Sequence, residues 1–350
     1  PCNGGECRRE FLRMTTYEEL RKTTNTPPET GTKAIQHLRN IQANVHRSMP
    51  LPIEGIGFGA YFADLNPGQT CAVIAQTHNY KTGFMEMWEK GLARHLQTQG
   101  RTDEIIVRVD VENTIEELGM MEISRLSDHS MADLARGNIR DWTKVIHAAG
   151  KISELNIYRI ADPLGDDTAP ELYLSNIYRA TKFIKDGRLT GEPLKIAAMF
   201  IDYLQALPFD PEVKKHKNLD DQRRLQVRRD VYRINQMAKH FACPIVYGVQ
   251  AKQELKGMLG PNMLTPGIYD GEETSSIGQR VHRAISLWMP KTTHSVGQAL
   301  VHNGVDFEVS EDLIWVRIPK QRGGFPSGKI WPCRIDFKTN TVRITRKLTP

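Results

Sequence analysis

The chain has 350 residues, 39% of them hydrophobic and 25% charged, with a net charge of +6. This is globular composition with ample core; no apolar run reaches the ~20 residues of a membrane span, and no signal peptide opens the chain. The five cysteines (Cys2, Cys7, Cys71, Cys243, Cys333) are odd in number and scattered, which argues against a disulfide framework and for a reducing compartment.

Residues 1–50 read as a separate arm. Thr16 and Glu19 form a capping box ahead of a short helix. Asn25 to Gly31, with two prolines and a glycine, reads as a linker. Thr32 to His46 then carries Ile35, Leu38, Ile41 and Val45 on one helical stripe, which needs a surface to bury against, its own core or a neighbouring subunit. Cys2 and Cys7 lack a second pair of ligands at zinc spacing. The chain opens at Pro1 rather than Met, so a further domain upstream is expected.

A domain over 51–350 follows. Cys71 to Ala75 is a short apolar run that predicts a buried strand. Polar residues Gln76, Thr77, His78 and Asn79 break it, and Tyr80, Lys81, Thr82 and Gly83 lead into a helix with Phe84, Trp88, Leu92 and Leu96 on one stripe. Strand, polar loop, Lys-Thr and helix is the layout of a phosphate-binding loop. Backbone N–H groups and the helix N-terminus cradle phosphates, the ammonium reaches the outer ones, and the hydroxyl binds Mg²⁺. The pattern asks for Gly where Ala75 and Tyr80 stand.

Glu104 to Val111 predicts a second strand ending at Glu112, with a helix from Thr114 to about Leu126. Ile157 to Ala161 is strand-like and Leu172 to Ile184 helical. Lys195 to Leu207 contains the strongest apolar strand, ending in Asp202, where parallel α/β sheets bind ligands. Leu219 to Phe241 is a long helix. Between Glu212 and His240 nine Lys or Arg stand against four acids, including Lys214, Lys215 and Lys217. A solvated face and a phosphate-tracking surface both fit that run.

Pro244 to Val249 is the next strand, ending at Gln250. The long loop from Ala251 to Ser276 holds Lys252 and Lys256. Strands are expected at Val281 to Met289, Leu313 to Ile318, Lys329 to Phe337 and Thr341 to Thr345. Lys320-Gln321-Arg322-Gly323-Gly324 reads as a turn. Alternating strands and helices predict an α/β domain: a mainly parallel central sheet, helices on both faces, and a C-terminal β-hairpin.

These strings together resemble the motor domain of DnaB-type replicative helicases, RecA-like P-loop ATPases, over about Ile53 to Phe337. The resemblance is carried by the loop at Ala75 to Thr82, the strand ending in Glu112 at Val109 to Asn113, Ala135 to Trp142, Ile201-Asp202-Tyr203-Leu204-Gln205, the strand ending in Gln250, and the Lys320 to Gly324 string. It implies ATP as substrate with Mg²⁺, nucleotide contacts from Thr77 to Gly83, and Thr82 and Asp202 on the metal. It further implies that Lys81 binds the outer phosphates, Glu112 activates water, Gln250 senses the γ-phosphate, and Lys320 and Arg322 reach a neighbour's nucleotide. A hexameric ring on single-stranded DNA, a bacterial or phage-infected host cytoplasm, and a primase or other replication domain upstream are expected with it. Lys214, Lys215, Lys217, Lys252 and Lys256 are candidate DNA contacts, since Glu272 and Glu273 stand where the family carries an Arg-Glu pair. A ring that has lost most of its ATPase activity and acts as a DNA-binding or loading scaffold is the alternative. A RecA-type filament is a third, opposed by the Ile201 to Gln205 and Lys320 to Arg322 strings.

Overall fold

The computed structural model describes residues 26–43, 47–57, 60–162, 169–209, 219–252, 265–271 and 276–346. Contacts divide the chain into two units, Pro1–His46 and Arg47–Pro350.

The first unit contributes one described helix, α1 (Pro27–Ala43). It starts earlier than the linker expected at Asn25 to Gly31 allows. Thr26 Oγ1 accepts from the Glu29 amide (3.4 Å), and Glu29 accepts from the Thr26 amide (2.7 Å), a reciprocal cap. Pro27 then stands at the first helical position, where its missing N–H costs nothing. Ile35 and Leu38 of the predicted stripe are exposed. The capping box at Thr16, Cys2 and Cys7 lie outside the described residues.

In the second unit the elements run β1 (Thr70–Ala75), α2 (Lys81–Thr98), β2 (Glu104–Asp110), α3 (Ile115–Ser127), α4 (Met131–Ala135), α5 (Trp142–Ser153), β3 (Ile157–Ile160), α6 (Leu174–Lys185), β4 (Lys195–Asp202), α7 (Leu219–Phe241), β5 (Ile245–Gln250), α8 (Ser276–Arg280), β6 (Arg283–Trp288), β7 (Ala299–His302), β8 (Val305–Glu308), β9 (Leu313–Gln321), β10 (Ile330–Asp336) and β11 (Thr341–Ile344). Nine strands form one sheet in the order β11-β10-β9-β6-β1-β5-β4-β2-β3. The strands from β6 to β3 in that order are parallel, and β9, β10 and β11 add antiparallel at the other edge. This is the RecA-like arrangement expected, with the C-terminal hairpin formed by β10 and β11.

Alternation along β1 sorts the cores. Cys71, Val73 and Ala75 pack on the side of α2, with Phe84 and Trp88; Ala72 and Ile74 pack on the side of α7, with Val231 and Ile234. Helices therefore cover both faces, as fully buried parallel strands require.

Several details differ from the sequence reading, the short helices α4 and α8 among them. Lys320 and Gln321 are not in a turn but finish β9, opposite Ala284 and Arg283 of β6, so the turn begins at Arg322. Helix α5 is additional to the expected elements. Asp141 caps it, accepting from the amides of Thr143 (3.0 Å) and Lys144 (3.3 Å). The small β7–β8 hairpin is also additional; its turn is Asn303-Gly304, both at positive φ (51° and 74°).

Candidate active site

Strand geometry brings four of the predicted residues to one end of the sheet. Lys81 opens α2 after β1, Glu112 follows β2, Asp202 ends β4 and Gln250 ends β5. A cleft of about 640 Å³ lies there, lined by Thr77, His78, Tyr80, Lys81, Thr82 and Gly83 from the loop, and by Glu112, Tyr203 and Gln250.

The loop turns sharply. His78 (φ 64°) and Tyr80 (φ 62°) are both left-handed, a conformation that bulky side chains rarely adopt. Asn79 between them is buried and faces away from the cleft. Its Oδ1 accepts from the Met289 amide (2.6 Å) and from Thr292 Oγ1 (3.3 Å), and its Nδ2 donates to the Thr77 carbonyl (3.1 Å). The side chain thus braces the loop against the segment that follows β6. Tyr80 is held from the other side. Its hydroxyl donates to Asn340 Oδ1 in the β10–β11 turn, and Asn340 Nδ2 donates to the Gly83 carbonyl (3.3 Å). The ring stands edge-on to Phe337 (5.8 Å) and lies so close over Gly83 that a Cβ there would collide with it. Burial pushes the Tyr80 phenol up to about 12, so it stays protonated and can donate this bond.

Lys81 is largely buried, its Nζ 3.8 Å from Asp202 Oδ1 and 3.5 Å from the centre of the Tyr203 ring. Burial lowers its pKa, opposed by the carboxylates of Asp202 and Glu112. Glu112 sits at the mouth. Burial raises its pKa despite Lys81, helped by the like charges of Asp202 and Asp110. A carboxylate held above its ordinary range is closer to the proton affinity that a base working near neutral pH needs.

Gln250 spans the two sides of the cleft. Its Nε2 donates to Thr77 Oγ1 in the loop, and its backbone is pinned by both ends of the Gln205 amide, at 3.0 and 3.1 Å. Gln205 therefore fixes the strand end that presents Gln250.

Beneath the cleft lies an ionic cluster the sequence reading did not include. Arg108 on β2 donates to Asp202 Oδ2 (2.9 Å) and Asp110 Oδ2 (3.2 Å) and lies 3.5 Å from Glu89 Oε2 on α2, with all four side chains buried. Burial opposes the Arg108 charge, but Glu89, Asp202 and Asp110 hold its pKa above the usual value. Asp110 Oδ1 in turn accepts from the amides of Glu112 (3.2 Å) and Asn113 (2.9 Å), so it shapes the turn that carries Glu112. Asp202 Oδ1 is buried and accepts no hydrogen bond.

That orphaned oxygen is what a metal site would leave. Hard oxygen donors, one carboxylate and one hydroxyl (Thr82), suit Mg²⁺, which keeps most of its shell for water and phosphate. Charge points the same way. Lys81 and Arg108 face Glu89, Asp110 and Asp202, with Glu112 at the mouth, and a divalent cation closes the difference. The residues present fit the ion.

Lys320 and Arg322 lie elsewhere. They stand beside the first residues of β6, at the end of the sheet opposite the cleft. Lys320 Nζ donates to the carbonyls of Gly278 and Gln279, and Arg322 Nη2 to that of Gln279. Lys252 follows β5 with an exposed side chain, and its carbonyl accepts from Gln76 Nε2 (2.9 Å). Lys214, Lys215, Lys217, Lys256, Glu272 and Glu273 lie outside the described residues.

The family model of the DnaB-like helicase C-terminal domain matches residues 58–343. The chain belongs to this family. Among solved structures, one described as an ATPase domain is similar at 15% identity, with a TM-score of 0.64, over 92% of this chain and 100% of that one. A DnaB-like replicative helicase, described with its interactions with primase, is similar at 16% identity and a TM-score of 0.59 over 80% of this chain. The chain spans 60% of that second protein. At such identities these two likenesses show the fold. No curated protein shows significant similarity to the chain.

In this DnaB-like domain, one signal for Arg108 and Asp110 was present in the sequence. Charges two apart, Arg108 and Asp110, interrupt an apolar strand and must share one face. Their partner Glu89 sits on another element, and only the fold brings it in. Asn340, 260 residues from Tyr80, carried no sequence signal of that contact.

Proposed function

We propose that the chain is the ATP-driven motor of a replicative helicase that moves on single-stranded DNA as a hexameric ring. The observation that carries this is the meeting of Lys81, Thr82, Glu112, Asp202 and Gln250 around one cleft, with Asp202 Oδ1 left without a hydrogen bond. A scaffold has no use for that set.

Lys81 and the amides of Thr77 to Gly83 hold the phosphates of ATP, with the start of α2 behind them. Thr82 and Asp202 hold Mg²⁺, which when bound neutralises charge on the transferring phosphate. Glu112 orients a water and takes up its proton. Gln250 registers whether the γ-phosphate is present, a role supported by its bond to Thr77 on one side and to Gln205 on the other. Lys320 and Arg322 act on the nucleotide of an adjacent subunit. Hydrolysis then proceeds by positioning and charge neutralisation, without a covalent intermediate.

Lys252 and the basic loop residues Lys214, Lys215, Lys217 and Lys256 meet the DNA backbone. A primase or other replication domain is the proposed partner, and residues 1–50 the linker arm that docks on the adjacent subunit beside the 51–350 motor. No helix among the described residues is long and apolar enough to cross a membrane, and the proposed setting is a bacterial or phage-infected cytoplasm.

The test is Mg²⁺-dependent ATPase activity with and without single-stranded DNA. Hydrolysis stimulated by DNA is expected. A well-folded protein that hydrolyses no ATP under either condition would remove the motor and leave the scaffold.

A further inference from the structure

The Arg108 cluster is unusual in where it grips. Asp202 ends β4, directly opposite Asp110 on the neighbouring strand, and Arg108 is two residues back on the same face. Its guanidinium takes Asp202 by one oxygen, Oδ2, at 2.9 Å. The other oxygen, Oδ1, is thereby turned toward Lys81, 3.8 Å away, and stays free of hydrogen bonds. A carboxylate at a strand end rotates readily about its last torsion. A guanidinium, planar and always charged, fixes that rotation as a point charge cannot. Glu89 on α2 and Asp110 on β2 hold the guanidinium in turn, so the helix that begins at Lys81 and the strand that ends in Asp202 are tied through one side chain.

From this geometry we infer that Arg108 is the positioning residue for the metal ligand Asp202, presenting Oδ1 alone to a Mg²⁺ ion. The inference rests on the nucleotide-binding reading of the cleft. Arg108 does not touch the ion or the nucleotide. Its role is to set which carboxylate oxygen faces them and to keep three buried carboxylates compensated before the ion arrives.

The experiment reads Mg²⁺ itself, in binding rather than turnover. Affinity for a fluorescent ADP (N-methylanthraniloyl-ADP) is measured on the full chain while MgCl₂ is titrated, and the Mg²⁺ midpoint of the affinity change is recorded. Arg108→Lys keeps the charge but loses the fork. Loss of a group that orients a metal ligand typically costs about 10–100-fold in metal affinity, so the midpoint should rise by that factor while affinity in EDTA is unchanged. Should Arg108→Lys not give a cooperative thermal transition, Arg108→Met with Glu89→Gln, which removes a cation and a carboxylate together, is read by the same criterion. Arg101→Met breaks a pair with Glu104 (2.6 and 2.9 Å) at the far end of β2 and reports general destabilisation. It should leave the midpoint where it is.

A wild-type midpoint in the Arg108 variant overturns the inference. So does an equal shift in Arg101→Met, because the effect would then be one of stability. Wild-type protein that binds the fluorescent ADP with no Mg²⁺ dependence removes the metal reading itself. Wild-type protein that does not bind it removes the nucleotide reading beneath.

Discussion

The two ends of the central sheet treat positive charge in opposite ways. At the end where β1, β2, β4 and β5 finish, Lys81 and Arg108 are buried among carboxylates, and the geometry of each carboxylate is fixed by a neighbour. At the other end, Lys320 and Arg322 are bonded to backbone carbonyls of Gly278 and Gln279, and among the described residues no carboxylate pairs with either. Burial, followed by the charge of Arg322, lowers the pKa of Lys320, so these cations weaken each other. The first end resembles a site that waits for an anion and a metal to complete it. The second holds a half-buried lysine and an exposed arginine at the end of β9, both without a carboxylate among the described residues. An anion would relieve that imbalance, and under the proposed function that anion is the nucleotide of an adjacent subunit.

The sharpest way to break this comparison is Arg322→Ala. A finger supplied from a neighbour is worth about 10³–10⁵ in turnover, or roughly 4–7 kcal/mol. The variant should bind ATP through its own loop and barely hydrolyse it. Mixing it with Lys81→Ala, itself strongly impaired, should raise basal ATPase as subunits exchange, because some interfaces then combine an intact loop with an intact finger. Proven mixed rings without recovery would confine both cations to their own chains.

Lys81→Ala alone should lower turnover by about 10²–10³-fold, the scale for removing one preorganised charge partner in a water-poor site. Its circular dichroism should match the parent. Full activity in that protein would end the case for the phosphate-binding loop.

Glu112 gives a pH test at the same end. Its carboxyl is held above the ordinary range by burial, with Asp202 and Asp110 adding to the shift. The acid limb of kcat/KM should therefore lie above the pH of a free glutamate. Asp110→Asn removes one of the like charges and should move the limb to lower pH. A limb that stays put would mean that Glu112 is not the group being titrated.

The opposite end offers a test through His282. Its Nδ1 faces the amide and hydroxyl of Thr70, each at 3.1 Å, and burial, with Arg322 and Arg283 adding to it, pushes its pKa from 6.5 to about 4. Between those values the unfolded chain takes up a proton that the fold resists. The stability linked to His282 is thus present in full above pH 6.5 and is lost as pH falls toward 4. Urea midpoints measured at pH 7 and pH 4.5 should show this slope, and His282→Gln should reduce it. His302, pushed to about 4 by its own burial and Arg317, acts in the same direction and keeps part of the slope in that variant.

The smallest effect concerns the latch on the loop. Tyr80→Phe removes the bond to Asn340, and Asn340→Gly removes it from the other side while keeping a residue suited to φ 52°. Tyr80→Phe should cost about 1 kcal/mol in stability, Asn340→Gly more because it also loses the bond to the Gly83 carbonyl, and the double variant little more than Asn340→Gly alone. Additive losses would mean that the two residues act separately.

Much of the fold was legible because burial writes itself into apolar runs. The strands ending in Asp202 and Gln250, and the helix after Lys81, follow from such runs and from what terminates them. Less legible are residues whose meaning depends on position. Proline breaks a helix from inside but starts one from its first turn, so Pro27 and Pro28 look like a linker when they open α1. Asn303-Gly304 is a hairpin signal, but the strands it joins are only 4 residues each, too short to stand out as apolar runs. Within the candidate site, the strand-end residues could be placed, since strand ends of a parallel sheet converge. The clamp on Asp202 and the latch on Tyr80 could not, because each depends on a partner from a distant stretch of chain.

The burial of the Arg108 cluster also bears on what added salt can reveal. Dissolved ions screen charges across water, over about 8 Å at physiological ionic strength, and reach buried pairs far less. With the guanidinium and its carboxylates shielded between α2 and the sheet, the metal-facing geometry should hold from dilute buffer to concentrated salt. Arg322 at the opposite end is exposed and has no such cover. On the proposed reading, a salt titration of turnover would therefore report encounters with DNA and with neighbouring subunits rather than a change in the Arg108 cluster.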